Sequence, residues 1–286
     1  MKRAASRSAL ILLLFALTCA PHEPAAVRDD LNRPVSLPPN IRRVITLAPN
    51  LTEMLFAVGA ADRIAGTDDF SDEPAAAKRL PKVGGMQPNI EKIVSLKPDL
   101  VLATTSGNQP NLSPALAAVH IPLFVVRTDR LDEIPAAMER IAALLHAPGA
   151  NAAQELRVRI AQQKRRRARP PRVLFAVWAD PLYVAGRKTF SDDLLVLAGA
   201  QNAVQLDGWP QYSMESLVAN PPDIILYPSK PVSRAQLEKL LDVAPALKER
   251  IAIVGVDENL FTRPGPRVAE AAARLNQILD QWERAK

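Results

Sequence analysis

Short apolar runs alternate with amphipathic stretches along most of the chain. The runs are about four residues long and rich in Val, Ile and Leu, which is typical of buried strands. The stretches between them carry apolar residues three and four positions apart, which predicts helices. This alternation predicts an α/β protein with parallel sheets. The predicted strands are residues 44–47, 64–67, 100–103, 123–126, 173–177, 182–185, 224–227 and 251–254.

One stretch breaks this alternation near the middle of the chain. Residues 151–168 are polar and contain neither Gly nor Pro, and Leu156 and Ile160 form an apolar pair four residues apart. Pro170 and Pro171 end the predicted helix. The pattern predicts two α/β lobes bridged by a single long helix. The N-terminal lobe, the bridging helix and the C-terminal lobe are expected over residues 42–148, 149–169 and 170–286.

The two predicted lobes repeat each other in sequence, which indicates pseudo-symmetric units. Residues 89–102 align without gaps on residues 213–226, at a constant offset of 124. Glu91 falls on Glu215 in this alignment. A Pro-Asp step before an apolar strand is common, so chance is the alternative for that part of the match. A shorter echo relates residues 55–60 to residues 195–200.

Capping residues predict where two of the helices begin. Asn50 is followed three residues later by Glu53, a capping-box pattern at the start of the first helix. Asn89 is predicted to cap another helix, which places Glu91 in its first turn. A carboxylate in the first turn stabilises a helix through its dipole, so Glu91 also has a purely structural interpretation.

The first residues have the pattern of an export signal. Residues 1–8 are cationic and residues 9–17 are apolar, a run too short to span a bilayer. Small residues precede Cys19, so we expect a lipoprotein-type signal peptide over residues 1–19 with Cys19 lipidated; a plain signal peptide is the alternative. Residues 20–41 are rich in Pro and Ala and predict a tether. We expect the protein in the periplasm or anchored to the membrane as a lipoprotein.

The amino-acid composition gives the chain a modest positive net charge. The chain has 286 residues, with 36 Lys and Arg against 30 Asp and Glu, a net charge of +6. Three of the basic residues, Lys2, Arg3 and Arg7, lie in the leader. The densest basic run, residues 164–169, has no interleaved aromatic residues, and we interpret it as a solvated helix end. We therefore expect no nucleic-acid partner, and we expect a monomer.

Residue types that carry catalysis or bind metals are scarce. Cys19 is the sole cysteine, so neither an internal disulfide nor a cysteine-built zinc site is expected. His120 and His146 fall at a turn and at a helix end, where structural roles are typical. The sequence holds no nucleophile elbow, phosphate-binding glycine loop or zinc-binding His pair. We expect no catalytic residue, metal site or cofactor; an exported lyase or hydrolase that uses only Asp or Glu is the alternative.

Aromatic residues point to a different kind of site. They make up 5% of the chain, yet several fall in or beside predicted loops at strand ends, where α/β lobes bind ligands. Flat apolar side chains suit a large planar ligand. Arg263 is a candidate donor to a carbonyl or carboxylate of that ligand, with a salt bridge at the start of a helix as the alternative. The aromatic residues in question are Phe70, Trp178, Tyr183, Trp209, Tyr212 and Phe261.

Three segments, residues 43–53, 85–101 and 208–215, resemble the cobalamin-binding periplasmic proteins of ABC importers. The resemblance runs from about Arg42 to the end of the chain. It extends to the wider helical-backbone class of binding proteins, which also carries heme and siderophores. Heme or a ferric siderophore is therefore the alternative ligand within the same class.

The resemblance implies that a ligand binds between two lobes whose opening the bridging helix limits. Cobalamin would be the transported ligand and not a cofactor. One glutamate on each lobe, Glu91 and Glu215, is implied to dock onto arginines of a permease in the inner membrane. Where close family members carry a tryptophan, this chain has Gly84. The implied ligand contacts are Phe70, Met86, Tyr183, Trp209 and Arg263.

Overall fold

The computed structural model describes residues 27–107, 111–149 and 151–286. The expected signal peptide, residues 1–19, and the candidate lipidation site Cys19 lie outside the described residues. Among the helices of the described ranges, none combines the length and the apolar character that crossing a membrane requires.

Residues 27–41 are structured, although their composition predicted part of a tether. Strand β1 (Val27–Arg28) pairs antiparallel with strand β2 (Pro34–Val35). The Asp30 N–H donates to a main-chain carbonyl of the adjoining lobe at 2.9 Å, and the Asp30 carboxylate pairs with Arg140. These specific contacts override the Pro-rich composition, so the tether prediction is wrong for this segment.

The N-terminal lobe is a parallel sheet covered by helices. Its four strands lie in the order β4-β3-β5-β6, and each pair is parallel. The strands predicted from the apolar runs are confirmed here. The strands are β3 (Val44–Thr46), β4 (Ile64–Thr67), β5 (Leu100–Thr104) and β6 (Leu123–Val126), and the helices up to the second lobe are α1 (Pro49–Ala57), α2 (Ile90–Ser95), α3 (Leu112–Ala118), α4 (Glu133–Leu145) and α5 (Ala152–Gln162).

The C-terminal lobe is built on a second sheet, in the order β11-β10-β7-β8, with β9 beside β7. The sheet is parallel as predicted except at one edge, where β8 runs antiparallel to β7. Only two residues connect the strands, and a parallel pair needs a crossover of about a dozen. The elements are β7 (Arg172–Ala179), β8 (Leu182–Val184), β9 (Gln201–Asn202), β10 (Ile224–Pro228), β11 (Ala252–Val256), α6 (Phe190–Leu197), α7 (Met214–Ala219), α8 (Arg234–Leu240), α9 (Pro245–Lys248), α10 (Glu258–Phe261) and α11 (Val268–Arg284).

Helix α5 connects the lobes and contacts both of them. It packs against α4 on the N-terminal side and against α11 on the C-terminal side. Arg157 of α5 pairs with Glu139 of α4, and Arg159 of α5 lies 3.3 Å from the carboxylate of Glu270 of α11. The predicted bridging role is therefore visible in the packing of this helix.

The bridging helix ends at Gln162, earlier than the predicted end at residue 168. Beyond it, Arg167 is buried and places Nη1 2.8 Å from both Asp280 and Glu283 of α11. The chain leaves the helix before this residue, and the buried guanidinium then has two partly exposed carboxylates of α11 as partners. The basic run is thus partly a clamp onto α11 and not simply a solvated helix end.

The internal repeat is confirmed in the backbone geometry. Gly59 and Gly199 both follow a helix with φ of 74°. At the same places, Ala60 N–H donates to the Leu55 carbonyl at 2.8 Å, and Ala200 N–H donates to the carbonyl of its own helix at 2.9 Å. Positive φ is readily adopted only by glycine, which explains why this residue occurs in both halves.

The Pro-Asp step plays the same structural role in each lobe. The Asp99 carboxylate accepts a hydrogen bond from the Arg43 N–H at 2.8 Å, just before β3. The Asp223 carboxylate accepts one from the Arg172 N–H at 2.8 Å, at the start of β7. Both aspartates therefore fix the start of an inner strand of their own sheet.

The two lobes share one apolar core. A single cluster of buried side chains includes members from the N-terminal lobe, from α5 and from the C-terminal lobe. Separating the lobes exposes part of this cluster to water, which costs free energy in proportion to the apolar area. Large rearrangements are therefore disfavoured. Members of the cluster from the three parts include Met138, Ile141, Leu156, Leu194 and Leu275.

Candidate functional site

A cleft between the lobes is divided into two adjoining compartments of about 470 and 290 Å³. On the N-terminal lobe the walls come from residues at the carboxyl ends of the strands, such as Asp68 after β4 and Thr105 after β5. This is the edge at which parallel α/β sheets bind ligands. Both compartments are lined by Ser106, Thr262 and Pro264.

The larger compartment is rich in aromatic side chains. Trp209 is half-exposed at its edge and lies with its ring centroid 6.4 Å from that of Phe190. Phe175 and Phe261 stack beneath, with ring centroids also 6.4 Å apart. Tilted and offset-stacked rings at this spacing stabilise each other and hold a fixed apolar surface. The predicted position of Trp209 on a turn is confirmed, since Gly208 before it has φ of 74°.

The smaller compartment contains Phe70 and Met86, both well exposed. The Phe70 ring lies over Gly85, where a Cβ atom would come within 3.1 Å of it. Glycine at this position therefore leaves room for the ring.

The loop that carries Phe70 is held by a buried polar network. Asp68 accepts hydrogen bonds from the Phe70 N–H at 3.0 Å and from the Ser71 hydroxyl. Burial raises the pKa of Asp68, and the Ser71 hydrogen bond and the charge of Lys82 offset only part of that rise. Lys82 in turn donates to Thr67 Oγ1 at 2.9 Å. A satisfied network of this kind makes the loop rigid.

Arg263 reaches across the cleft to the opposite lobe. Its Nη1 lies 2.6 Å from Asp72 Oδ1, and its Nη2 donates to the Phe70 carbonyl at 3.1 Å. The side chain is largely buried and lines the smaller compartment. A salt bridge is present, but it joins the two lobes and is not the local pair at the start of a helix that the sequence suggested; contact with a ligand stays a prediction.

Glu53 does not form the predicted capping box. The N-cap of α1 is Ala48, and no side chain caps this helix. Instead the buried Glu53 carboxylate accepts two hydrogen bonds of 3.0 Å from the guanidinium of Arg267 on the other lobe. Asn50 likewise donates across the cleft to the Pro264 carbonyl at 3.0 Å. Side chains assigned locally from the sequence therefore hold the two lobes together.

A third ion pair crosses between the lobes beside the bridging helix. Arg130 donates from Nε to Asp193 at 2.8 Å, and the N–H of Leu131 donates to the same carboxylate at 2.9 Å. The hydrogen bond that Arg130 donates to Asp193 raises the pKa of Arg130, and partial burial opposes this only in part. No local sequence pattern marks either residue, because they lie 63 positions apart.

Three of the six predicted aromatic residues, Trp178, Tyr183 and Tyr212, line neither compartment. Tyr212 and Phe261 are both buried in the C-terminal lobe, but Tyr212 lies in the predicted loop before α7, whereas Phe261 is the last residue of α10, so the loop prediction is wrong for Phe261 alone. Tyr183 lies on β8 opposite Trp178 of β7, and both side chains are half-exposed. Neither of these last two residues lines the described compartments, so the contact predicted for Tyr183 stays a prediction.

Glu91 and Glu215 occupy equivalent positions on two six-residue helices. The Asn89 side chain accepts from the N–H three residues later at 2.9 Å, which confirms the predicted cap, and Ser213 does the same at 3.1 Å. Each glutamate is the second residue of its helix and is exposed. The two lobes therefore present one carboxylate each in the same local geometry.

The histidines have backbone roles. His120 and His146 adopt φ of 56° and 46°, and His146 is the C-cap of α4. Within the described ranges, no cluster of His, Cys, Asp and Glu side chains has the geometry of a metal site.

Two α/β lobes, one connecting helix and a ligand-sized cleft at the strand ends define a binding protein that holds its ligand between the lobes. The chain belongs to the Periplasmic binding protein family, whose model matches residues 44–250. Members of this family act outside the cytoplasm. The Vitamin B12-binding protein of Yersinia pestis (strain Pestoides F) is 30% identical over 279 residues, which cover 95% of this chain and 92% of that protein.

Solved structures give the same class with two kinds of ligand. The periplasmic heme-binding protein RhuT from Roseiflexus sp. RS-1 has a TM-score of 0.73 at 27% identity, covering 83% of this chain and 97% of that one. The periplasmic vitamin B12-binding protein BtuF of Vibrio cholerae has a TM-score of 0.65 at 25% identity, covering 85% and 98%.

Proposed function

We propose that this chain binds a corrinoid such as cobalamin in the cleft between its lobes and delivers it to an ABC permease in the inner membrane. Sequence relatives at 29% to 30% identity are vitamin B12-binding proteins, which supports this ligand. In this role the protein captures and releases its cargo and catalyses no reaction.

The observation that carries the proposal is the placement of Phe70 and Trp209 on opposite lobes of one cleft. A flat macrocycle between two exposed rings buries apolar area on both of its faces. Ser106 and Thr262 line both compartments; the Ser106 hydroxyl suits the neutral amide groups around a corrin ring, while the Thr262 hydroxyl donates to the Glu258 carbonyl at 2.6 Å and can only accept from a ligand. These neutral donors and acceptors do not require a charged ligand.

The chemistry of the lining also favours a corrinoid over a heme. Heme iron in proteins takes an axial ligand such as His, Tyr, Met or Cys from the chain. Among the described residues that line the two compartments, there is neither a histidine nor a tyrosine. Corrinoid cobalt carries its own axial ligands and needs none from the protein.

Heme is the second candidate, because RhuT matches the fold with a TM-score of 0.73 against 0.65 for the Vibrio cholerae protein. Met86 lies at the smaller compartment and carries a thioether, a group that heme iron accepts as an axial ligand. A ferric siderophore would instead need cationic side chains, and Arg263 in this compartment is paired with Asp72.

For delivery, we propose that Glu91 and Glu215 dock onto arginines of the permease. Carboxylate–guanidinium pairs are directional and strengthen electrostatic steering of the two partners. The equivalent, exposed positions of the two glutamates on α2 and α7 support this role. Export through residues 1–19 and lipidation of Cys19 are also part of the proposal.

Titration of the purified chain with cyanocobalamin and with hemin tests the ligand. We expect one equivalent of cyanocobalamin to bind and to raise the melting temperature by mass action. We expect hemin to bind weakly and without the absorbance of axially ligated iron. If hemin but not cyanocobalamin raised the melting temperature, and if the hemin complex showed a sharp Soret band that Met86→Leu lacks, heme would become the first candidate and the corrinoid the second.

A further inference from the structure

Each of the two docking helices also carries an exposed valine. Val94 of α2 is 41% exposed and Val218 of α7 is 47% exposed. Each lies three residues after its glutamate, and residues three apart share one face of a helix. The two valines are related by the same offset of 124 that relates Glu91 to Glu215.

The valines are presented in the same way because the helices are anchored in the same way. Ile93 and Leu217, the residues just before them, are buried in the cores of their own lobes. Each helix begins at a side-chain cap, Asn89 or Ser213. On both lobes the helix therefore has the same order of residues: a capping side chain, an exposed glutamate, a buried apolar residue and an exposed valine.

We infer that Glu91 with Val94, and Glu215 with Val218, form two equivalent docking elements, so that apolar burial as well as charge holds this chain on its permease. The inference deepens the proposed function and rests on it. Single exposed apolar residues are common and need no explanation. Here, however, two exposed valines occupy equivalent positions in the two lobes, and each lies beside an equivalent glutamate. The same small surface therefore occurs twice.

The repeat also specifies the partner. A binding surface that occurs twice is satisfied by a partner that carries the complementary surface twice, as a permease of two identical subunits does. Each complementary site would offer a cation for the carboxylate and an apolar depression for the valine. Because apolar burial is not screened by ions, the complex should persist at salt concentrations that weaken the ion pairs.

The test adds purified full-length chain to spheroplasts of its own host and measures uptake of labelled cyanocobalamin. The docking variant is Val94→Ser/Val218→Ser, and the control is Val119→Ser/Val158→Ser. The control valines are 41% and 48% exposed, which matches the docking pair, but lie at the end of α3 and on α5.

We expect the docking variant to need about tenfold more protein for half-maximal uptake, since two partly buried valines together contribute about that factor. The control should behave as the unmodified chain. All variants should bind cyanocobalamin equally, because the four valines lie outside the compartments. Equal half-maximal concentrations for the docking variant and the control would overturn the inference.

A second measurement does not depend on the ligand. Benzoylphenylalanine at position 94 or 218 should crosslink to the same membrane polypeptide in intact cells, and at position 119 or 158 it should not. Absence of that shared adduct overturns the docking surface. If the unmodified chain supports no cyanocobalamin uptake while the shared adduct forms, the proposed ligand fails and the docking surface stands.

Discussion

Arg263 Nη1 lies 2.6 Å from Asp72 Oδ1, in an ion pair that joins the C-terminal lobe to the N-terminal lobe at the smaller compartment. The same guanidinium donates to the Phe70 carbonyl at 3.1 Å. Arg263 thus connects the position of an exposed ligand-facing ring to the closure of the cleft. A ligand that engages this arginine has to compete with Asp72 for its hydrogen bonds.

This pair predicts how lobe closure depends on pH. Partial burial acts to raise the pKa of Asp72, but the hydrogen bond and charge of Arg263 outweigh it, so the pKa lies below its ordinary value of 3.8. A carboxylate with a depressed pKa contributes stability above its unfolded pKa and loses it as the pH falls through the folded value. We therefore expect closure by this pair to be intact near neutral pH and to weaken only below about pH 3.8.

Small-angle scattering across this pH range checks the prediction. At neutral pH, Asp72→Asn should have a larger radius of gyration than the unmodified chain, because it lacks the ion pair. As the pH falls, the radius of gyration of the variant should change less than that of the unmodified chain. A radius of gyration for Asp72→Asn equal to that of the unmodified chain at neutral pH would show that the pair does not control closure.

The buried pair of Glu53 and Arg267 should stabilise the fold itself. Arg267→Met leaves the buried Glu53 carboxylate with only a 3.5 Å contact to Arg263, and removing one partner of a buried ion pair costs about 3 kcal/mol. Urea unfolding should show this loss in the free energy of unfolding. Arg274→Met, on the helix that Arg267 precedes, removes an exposed hydrogen bond and should cost no more than about 0.5 kcal/mol.

A double-mutant cycle separates the pair from unrelated effects. Glu53→Gln/Arg267→Met should be less destabilised than the two single changes added together, since neither partner is then left charged and alone. Additive losses would mean that the two side chains stabilise the protein independently.

Trp209 should contribute strongly to ligand affinity. Trp209→Ala removes a large ring from the larger compartment, and aromatic residues at the centre of an interface contribute about 2 kcal/mol, or roughly thirtyfold in affinity. Trp178→Ala is the matched control, because Trp178 is 48% exposed against 46% for Trp209 but lies outside both compartments. Calorimetric titration with cyanocobalamin measures both. Equal losses for the two variants would place the ligand nearer the β7–β8 hairpin.

Charge reversal tests docking separately from binding. Glu91→Arg/Glu215→Arg should leave affinity for cyanocobalamin unchanged and abolish its uptake, because each reversal sets two cations against each other at the permease. Glu155→Arg is the control, since Glu155 is also an exposed acid in the first turn of a helix. Normal uptake by the double variant would remove both glutamates from the docking surface.

Much of the fold could be predicted from the sequence because it depends on local patterns. The apolar runs marked each strand of the N-terminal sheet, and Asn89 marked the start of α2. The repeat at an offset of 124 placed Glu91 and Glu215 at equivalent positions. Periodicity and capping act within a few residues, so a single sequence carries them.

Predictions failed where partners distant in sequence compete for the same groups. Glu53 was assigned to a helix cap, but Arg267 binds it from 214 positions away. The pattern predicts that the bridging helix continues to residue 168, but the helix ends at Gln162 and Arg167 forms ion pairs with α11. Ion pairs between distant segments leave no periodic signal, so neither outcome could be predicted from local pattern.

The sequence by itself determined that the chain has two related α/β lobes, a connecting helix and one glutamate at the same place in each lobe. These properties follow from hydrophobic periodicity and from an internal repeat, and both can be recognised in the sequence before the fold is known. Only the tertiary structure decided which aromatic rings reach the cleft, and that Arg263 is paired with Asp72 across it. The reason is that ligand contacts and closure of the lobes depend on which side chains the packing of two separate sheets brings within a few ångströms of each other.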